Sequence, residues 1–184
     1  MNRRSLRTNR FGQTLALLAA AGALSVCNGS GGAGGPWDVP EVHRRILLEW
    51  FHCTDCQEGE LDAVVAKGRV MIPYLSAALL DGPTIAEDSL GRLRAIDAVV
   101  RVARYRAKRL GSMAPLAPAE STRAVSRQHD AFRLKYRLRA AQALARIDSV
   151  QAARDVAAWC ATNPPLLVEN PAYLASFKAI GNCQ

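Results

Sequence analysis

The sequence predicts an all-α domain of antiparallel helical hairpins, stacked as a short solenoid or packed as an irregular bundle, behind an N-terminal targeting segment. Three observations carry this. Ala and Leu are abundant while aromatic residues make up 6% of the chain, a composition suited to helices packed through small side chains. Apolar residues recur at three- and four-residue steps over long windows. No alternating Val/Ile/Thr run marks a strand.

The first residues carry Arg3, Arg4, Arg7 and Arg10, then an apolar run from Leu15 to Val26, Cys27, and a Gly-rich stretch to Gly35. This is a basic region, an apolar region too short to span a bilayer, and a processing site. Residues 1–26 are read as a signal peptide, 27–36 as a tether and 37–184 as one helical domain. Leu24-Ser25-Val26-Cys27 resembles the lipobox of bacterial lipoproteins, in which the Cys becomes the acylated first residue of the mature chain. Val26 departs from the Gly, Ala or Ser usual there. The resemblance implies lipidation at Cys27 and a membrane anchor facing the periplasm. Gly/Ser chain after it suits a flexible tether between lipid and domain. Cleavage after Ser25, giving a soluble periplasmic or secreted protein, is the alternative.

The helices follow in order. Asp38 and Glu41 read as a capping box, and Val42, Ile46, Trp50 and Cys53 line one face, with Leu47 and Phe51 beside it. A short helix from Glu60 to Lys67 ends at Gly68 as a left-handed cap. Another runs from about Val70 to Leu80, with Pro73 in its first turn. Thr84 and Glu87 form a second capping box. The long helix they open repeats Leu93, Ile96, Val100, Ala103, Ala107 and Leu110, and Gly111 stops it. Ser112–Glu120 reads as a loop. A second long helix, from about Ser121 to Ile147, is apolar at Val125, Phe132, Tyr136, Ala140, Ala143 and Ile147, with Leu134 and Leu138 as a further stripe. Such a helix is sandwiched between neighbours. Ser149 caps a helix through Cys160. Pro164-Pro165 predicts an extended stretch, and Asn170-Pro171 starts a last helix that Gly181 closes. Trp50, Phe132, Leu144 and Trp159 are expected in the core.

Two segments, 61–80 and 139–159, resemble HEAT repeats: each has an Ala/Val-rich helix, a tight turn and a second helix with apolar positions at helical spacing. The resemblance implies antiparallel helix pairs stacked side by side, usually as protein-binding surfaces. The two long central helices exceed a usual repeat helix, which leaves a compact irregular bundle as the other arrangement.

The formal charge of +8 includes the four arginines of the signal. After residue 26 the chain has twenty Lys and Arg against sixteen Asp and Glu, a net +4. The distribution is uneven: residues 37–90 are net −6 and residues 92–139 net +10. This asymmetry marks either a surface for an anionic partner or the solvated faces of two Arg-rich helices. Arg101, Arg104, Arg109 and Arg127 are the candidate partner-binding residues. Nucleic acid is disfavoured, because the basic stretch lacks stacking aromatics and the chain reads as exported.

With Cys27 acylated, Cys53, Cys56, Cys160 and Cys183 remain, an even count that in an oxidising compartment predicts two disulfides. Pairing Cys53 with Cys56 and Cys160 with Cys183 uses near neighbours. The second pair requires the chain after Pro164-Pro165 to run back along the preceding helix. Thioredoxin-like chemistry at Cys53–Cys56 wants a helix beginning at the first Cys, whereas a helix here precedes it. Covalent haem attachment needs His after the second Cys, and residue 57 is Gln. Zinc on Cys53, Cys56 and His52 lacks a second close ligand pair. His43 and His129 read as surface or boundary residues. Asp55, Glu58, Glu60 and Asp62 cluster near a helix start, where the dipole favours negative charge. No phosphate loop, nucleophile elbow or metal-spaced His pair is present, so neither cofactor nor catalytic residue is assigned.

The expectation is therefore a non-catalytic, lipid-anchored scaffold or interaction protein of the bacterial cell envelope, with a protein partner. The alternative is a periplasmic thiol-redox or metal-binding protein using Cys53 and Cys56.

Overall fold

A computed structural model describes residues 39–53, 56, 58–110 and 117–183. The chain divides after Ala33, and the described residues all fall in the unit Gly34–Gln184, which holds its own core. The signal, Cys27, Asp38 and Gly111 lie outside the described residues. The fold is all-α: among the described residues there are eight α-helices, one 3₁₀ turn and no strand.

Helix α1 (Glu41–His52) starts with Pro40 at the cap position and no side-chain cap. Glu41 is thus its first residue, not the third position of a capping box. Its buried face is Leu47, Trp50 and Phe51, while Val42 is exposed, so the predicted stripe is rotated toward Leu47. Helix α2 (Glu58–Val65) starts two residues earlier than expected. The chain then turns at Gly68, whose φ of +66° is left-handed as the cap reading requires. Gly68 opens a 3₁₀ turn to Met71, and α3 (Ile72–Leu80) follows with Pro73 in its first turn.

The Thr84–Glu87 capping box is present. The Thr84 N–H donates to Glu87 Oε2 at 2.8 Å, and the Glu87 N–H to Thr84 Oγ1 at 3.3 Å. It opens α4 (Ile85–Leu110), which pairs with α5 (Pro118–Ile147). Pro118 joins the helix rather than the loop, because a first-turn proline loses no intrahelical bond. At about 1.5 Å per residue these helices are roughly 39 and 45 Å long. They approach closely at Gly91, where a Cβ would run into the Phe132 ring.

The C-terminal half of α5 is the centre of the fold, packed by α1, α2, α3, α4, α6 and α8. Leu134, Tyr136, Ala140, Ala141, Ala143 and Leu144 are buried there. Helix α6 (Ser149–Thr162) is capped by Asp148, which accepts from the Gln151 N–H at 3.0 Å, one residue before the expected Ser149. Buried Asp155 on α6 is satisfied by Ser76 Oγ at 2.7 Å and Gln151 Nε2 at 2.8 Å. Pro164-Pro165 opens a short helix, α7 (Pro164–Val168), instead of extended chain. Two prolines fit a helix start because neither needs an amide donor there. Helix α8 (Pro171–Lys178) then lays Phe177 on Trp159, ring centroids 4.8 Å apart. Of the expected core residues, Trp50, Leu144 and Trp159 are buried, whereas Phe132 is half-buried where α4 and α5 leave the core.

Candidate functional site: the basic helical arm

Beyond Ile96 on α4 and before Leu134 on α5, no described side chain is fully buried. This part of the pair extends past the core as a two-helix arm. Its root is fastened by two carboxylates that follow each other on α4. Glu87 Oε2 accepts from Thr84 and, at 3.0 Å, from the Tyr136 hydroxyl, while Oε1 lies 3.8 Å from His52 Nε2. Asp88 takes Arg133 in a fork, Nε to Oδ1 and Nη2 to Oδ2 both at 2.7 Å, and His129 Nε2 lies 3.0 Å from Oδ1. The Phe132 ring lies between His52 and His129, stacked at 5.9 and 6.4 Å.

These contacts set the protonation states. Burial pushes the Glu87 carboxyl up, but hydrogen bonds from His52, Thr84 and Tyr136 together outweigh it and hold it below its usual value. The Arg133 fork holds Asp88 down too, with the positive charge beside it adding to the effect. Burial and neighbouring Glu87 push the Tyr136 hydroxyl well up. The cluster thus pairs ionised carboxylates with donors. It fastens the root of the arm to the core.

Between the two helices of the arm runs a groove of about 490 Å³. It is lined by apolar Ala98, Val99, Val102 and Ala124 together with Arg106, Arg123, Arg127, Glu120 and Gln128. Of the four predicted partner residues, Arg127 lines this groove. Arg101 is exposed and paired with Asp97 at 3.1 Å along α4, and the Arg109 guanidinium lies 5.6 Å from its neighbour Tyr105's ring centre. Arg104 is exposed on α4. The thirteen basic residues of 92–139 therefore do not meet on one surface. Arg133 holds Asp88, and Arg137 donates to the Asp81 carbonyl at 3.0 Å and lies over the Trp159 ring.

Arg139 is buried, 6% exposed. Its guanidinium donates to the Phe51 carbonyl at 2.7 Å, the Cys53 carbonyl at 2.8 Å and Cys56 Sγ at 2.5 Å, and lies 5.4 Å from the Trp50 ring centre. In return Trp50 Nε1 donates to the Arg139 carbonyl at 3.0 Å. Arg139 thus satisfies carbonyls that the end of α1 leaves without helical partners.

Both cysteine pairs are joined, Cys53 to Cys56 with Cα atoms 5.4 Å apart and Cys160 to Cys183 with 5.3 Å. The chain reaches Cys160 because α7 and α8 carry it back, so that Gly181 lies against Ala153 and Val156 of α6. In this oxidised form neither Cys53 nor Cys56 offers a thiolate to zinc, and His52 faces Glu87 and Arg94. Among the described residues no cluster of three or more His, Cys, Asp or Glu could hold a metal ion.

Sequence reasoning missed Arg139 and the Glu87–Asp88 fastening. The four-residue spacing of His129 and Arg133 does put both on one face of α5. Their acceptor lies more than forty residues away, and no spacing announces it. No protein-family model, characterised protein or solved structure gives a significant match to the chain.

Proposed function

We propose that this chain is an exported, lipid-anchored, non-catalytic protein of the bacterial cell envelope, and that its α4–α5 arm docks an acidic segment of a partner protein. The single observation behind the docking part of this reading is the arm's groove, where four apolar side chains sit with Arg106, Arg123 and Arg127 against one carboxylate, Glu120. An apolar lining contributes affinity, while exposed guanidinium groups select negative charge and steer its approach. The HEAT-like reading belongs to the same proposal, with α2–α3 and the end of α5 with α6 as the helix pairs that form the platform for the arm.

The test is salt-dependent capture of a partner from envelope extracts. Replacing Arg106, Arg123 and Arg127 with Glu is expected to leave helicity unchanged and abolish capture, while Lys at the same positions retains part of it. Capture that is indifferent to both salt and charge reversal would refute the reading. For the anchor, Cys27→Ser is expected to move the protein from the membrane to the soluble fraction. An unmodified mature N-terminus at any other residue would remove that part of the proposal.

A second reading, thiol-redox chemistry, is favoured by one contact. Arg139 lies on Cys56 Sγ, and Cys56 precedes the N-terminus of α2, and both positions stabilise a thiolate there. A reduced protein whose Cys56 thiol titrates no lower than an ordinary cysteine would remove this reading.

A further inference from the structure

The apolar repeat of α4 does not face the core. The helix turns Gly91 and Ala95 inward. Leu93 is 63% exposed, with Ile96 and Val100 also open to solvent, and Ile85 at the root is 89% exposed. At 100° per residue, Leu93, Ile96, Val100, Ala103 and Ala107 form one continuous stripe, opposite the side that packs on α5. It is a different face from the groove, whose apolar α4 lining is Ala98, Val99 and Val102.

Cationic side chains border this stripe. Between residues 92 and 110, α4 carries seven Lys and Arg against one acidic residue, Asp97. Arg92 flanks one edge and Arg104 the other, beyond which Asp97 pairs with Arg101 at 3.1 Å. Long basic side chains at such edges can lay their methylenes along an apolar surface and raise their charges to a polar layer. An apolar stripe with cationic edges is the pattern of a helix lying in the plane of an anionic bilayer surface. A second copy of the same face would meet it with like charges, which disfavours self-pairing. No single helix among the described residues is long and apolar enough to cross a membrane.

We infer that the outward stripe of α4, Leu93-Ile96-Val100 with its arginine edges, seats on the anionic phospholipid surface of the membrane. This rests on the envelope reading of the proposed function but not on the lipid anchor or the groove partner. The test separates them by using residues 34–184, which hold the core and both disulfides and lack Cys27. This fragment is mixed with vesicles of phosphatidylglycerol and phosphatidylethanolamine, and separately with phosphatidylcholine alone, then sedimented. Binding is expected to the anionic vesicles only and to weaken with added salt. Changing Leu93, Ile96 and Val100 together to Ser keeps every charge and is expected to lower binding about tenfold or more. An unchanged thermal melt shows that the fold survived. A Val100→Trp variant is expected to be quenched by brominated acyl chains.

Equal binding of the wild-type and triple-Ser fragments, or no quenching at position 100, overturns the inference. So does a wild-type fragment that ignores anionic vesicles, whether it then self-associates or pairs with an acidic protein through the same stripe. Failure here leaves the salt-dependent capture by the groove to be judged on its own result.

Discussion

Arg139→Ala gives the sharpest test of how the N-terminal half of the domain is held. The guanidinium is buried and donates to two backbone carbonyls at the end of α1 and to Cys56 Sγ. Truncation leaves the Phe51 carbonyl without its side-chain donor and the Cys53 carbonyl with only the long 3.5 Å contact from Lys135 Nζ, at about 1–3 kcal/mol for each group left unpaired or poorly paired. The lost attraction to the Trp50 ring adds about 0.5–2 kcal/mol. Part of this is recovered as water enters, so the expected net loss is about 3–5 kcal/mol, a large share of the roughly 5–15 kcal/mol that stabilises a typical domain. With a urea slope near 2 kcal/mol/M, the midpoint should fall by about 2 M. Arg139→Met refills most of the volume but supplies no donor, so it should recover less than half of the loss. The assay is equilibrium urea unfolding followed by far-ultraviolet circular dichroism under non-reducing conditions. A loss below about 1 kcal/mol for the Ala variant would show that the α1 carbonyls are readily hydrated and that Arg139 is not what holds them.

Two further outcomes are expected. Leu144 is fully buried in the last turn of α5, at the centre of the fold, so Leu144→Ala should cost about 2–5 kcal/mol in the same assay, and a loss under about 0.5 kcal/mol would place that side chain outside the core. Glu87 and Asp88 both have carboxyl groups held below their usual values, so their contribution is fully present above the ordinary carboxylate range and is lost as pH falls through the lowered values. Stability measured at pH 7 and again near pH 3 should therefore drop for the wild type. Asp88→Asn should be weaker at pH 7 and show a smaller further drop on acidification. An acid response identical to that of the wild type would mean that the Arg133 fork on Asp88 contributes nothing to it.

Local signals read out well wherever the chain sets its own conformation. The Thr84–Glu87 box, the left-handed turn at Gly68 and the first-turn Pro73 each depend on neighbours within a few residues, and the structure has all three. Where local rules competed, the structure departed from expectation. Pro164-Pro165 can stop one helix or start another, and the docking of α8 onto α6 goes with the start. Pro40, not Asp38, stands at the cap of α1, because the helix begins at Glu41.

The sequence by itself determined the helical class, the turn at Gly68 and the even cysteine count, because three- and four-residue periodicity and Gly/Pro punctuation act over a few residues. Near-neighbour pairing was also legible, and both disulfides follow it. Only the tertiary structure decided which apolar stripe is covered. The repeat Leu93-Ile96-Val100 has the same periodicity as a core face, yet Gly91 and Ala95 give α4 a flatter side on which α5 can approach, and the bulkier stripe is left outward. The same holds for the arginines of α5. Arg127 and Arg139 read alike in sequence, but one lines an open groove and the other is buried against the carbonyls of α1. Periodicity specifies that a helix has two sides, and only the packing of distant elements specifies which side meets protein and which meets solvent or another surface.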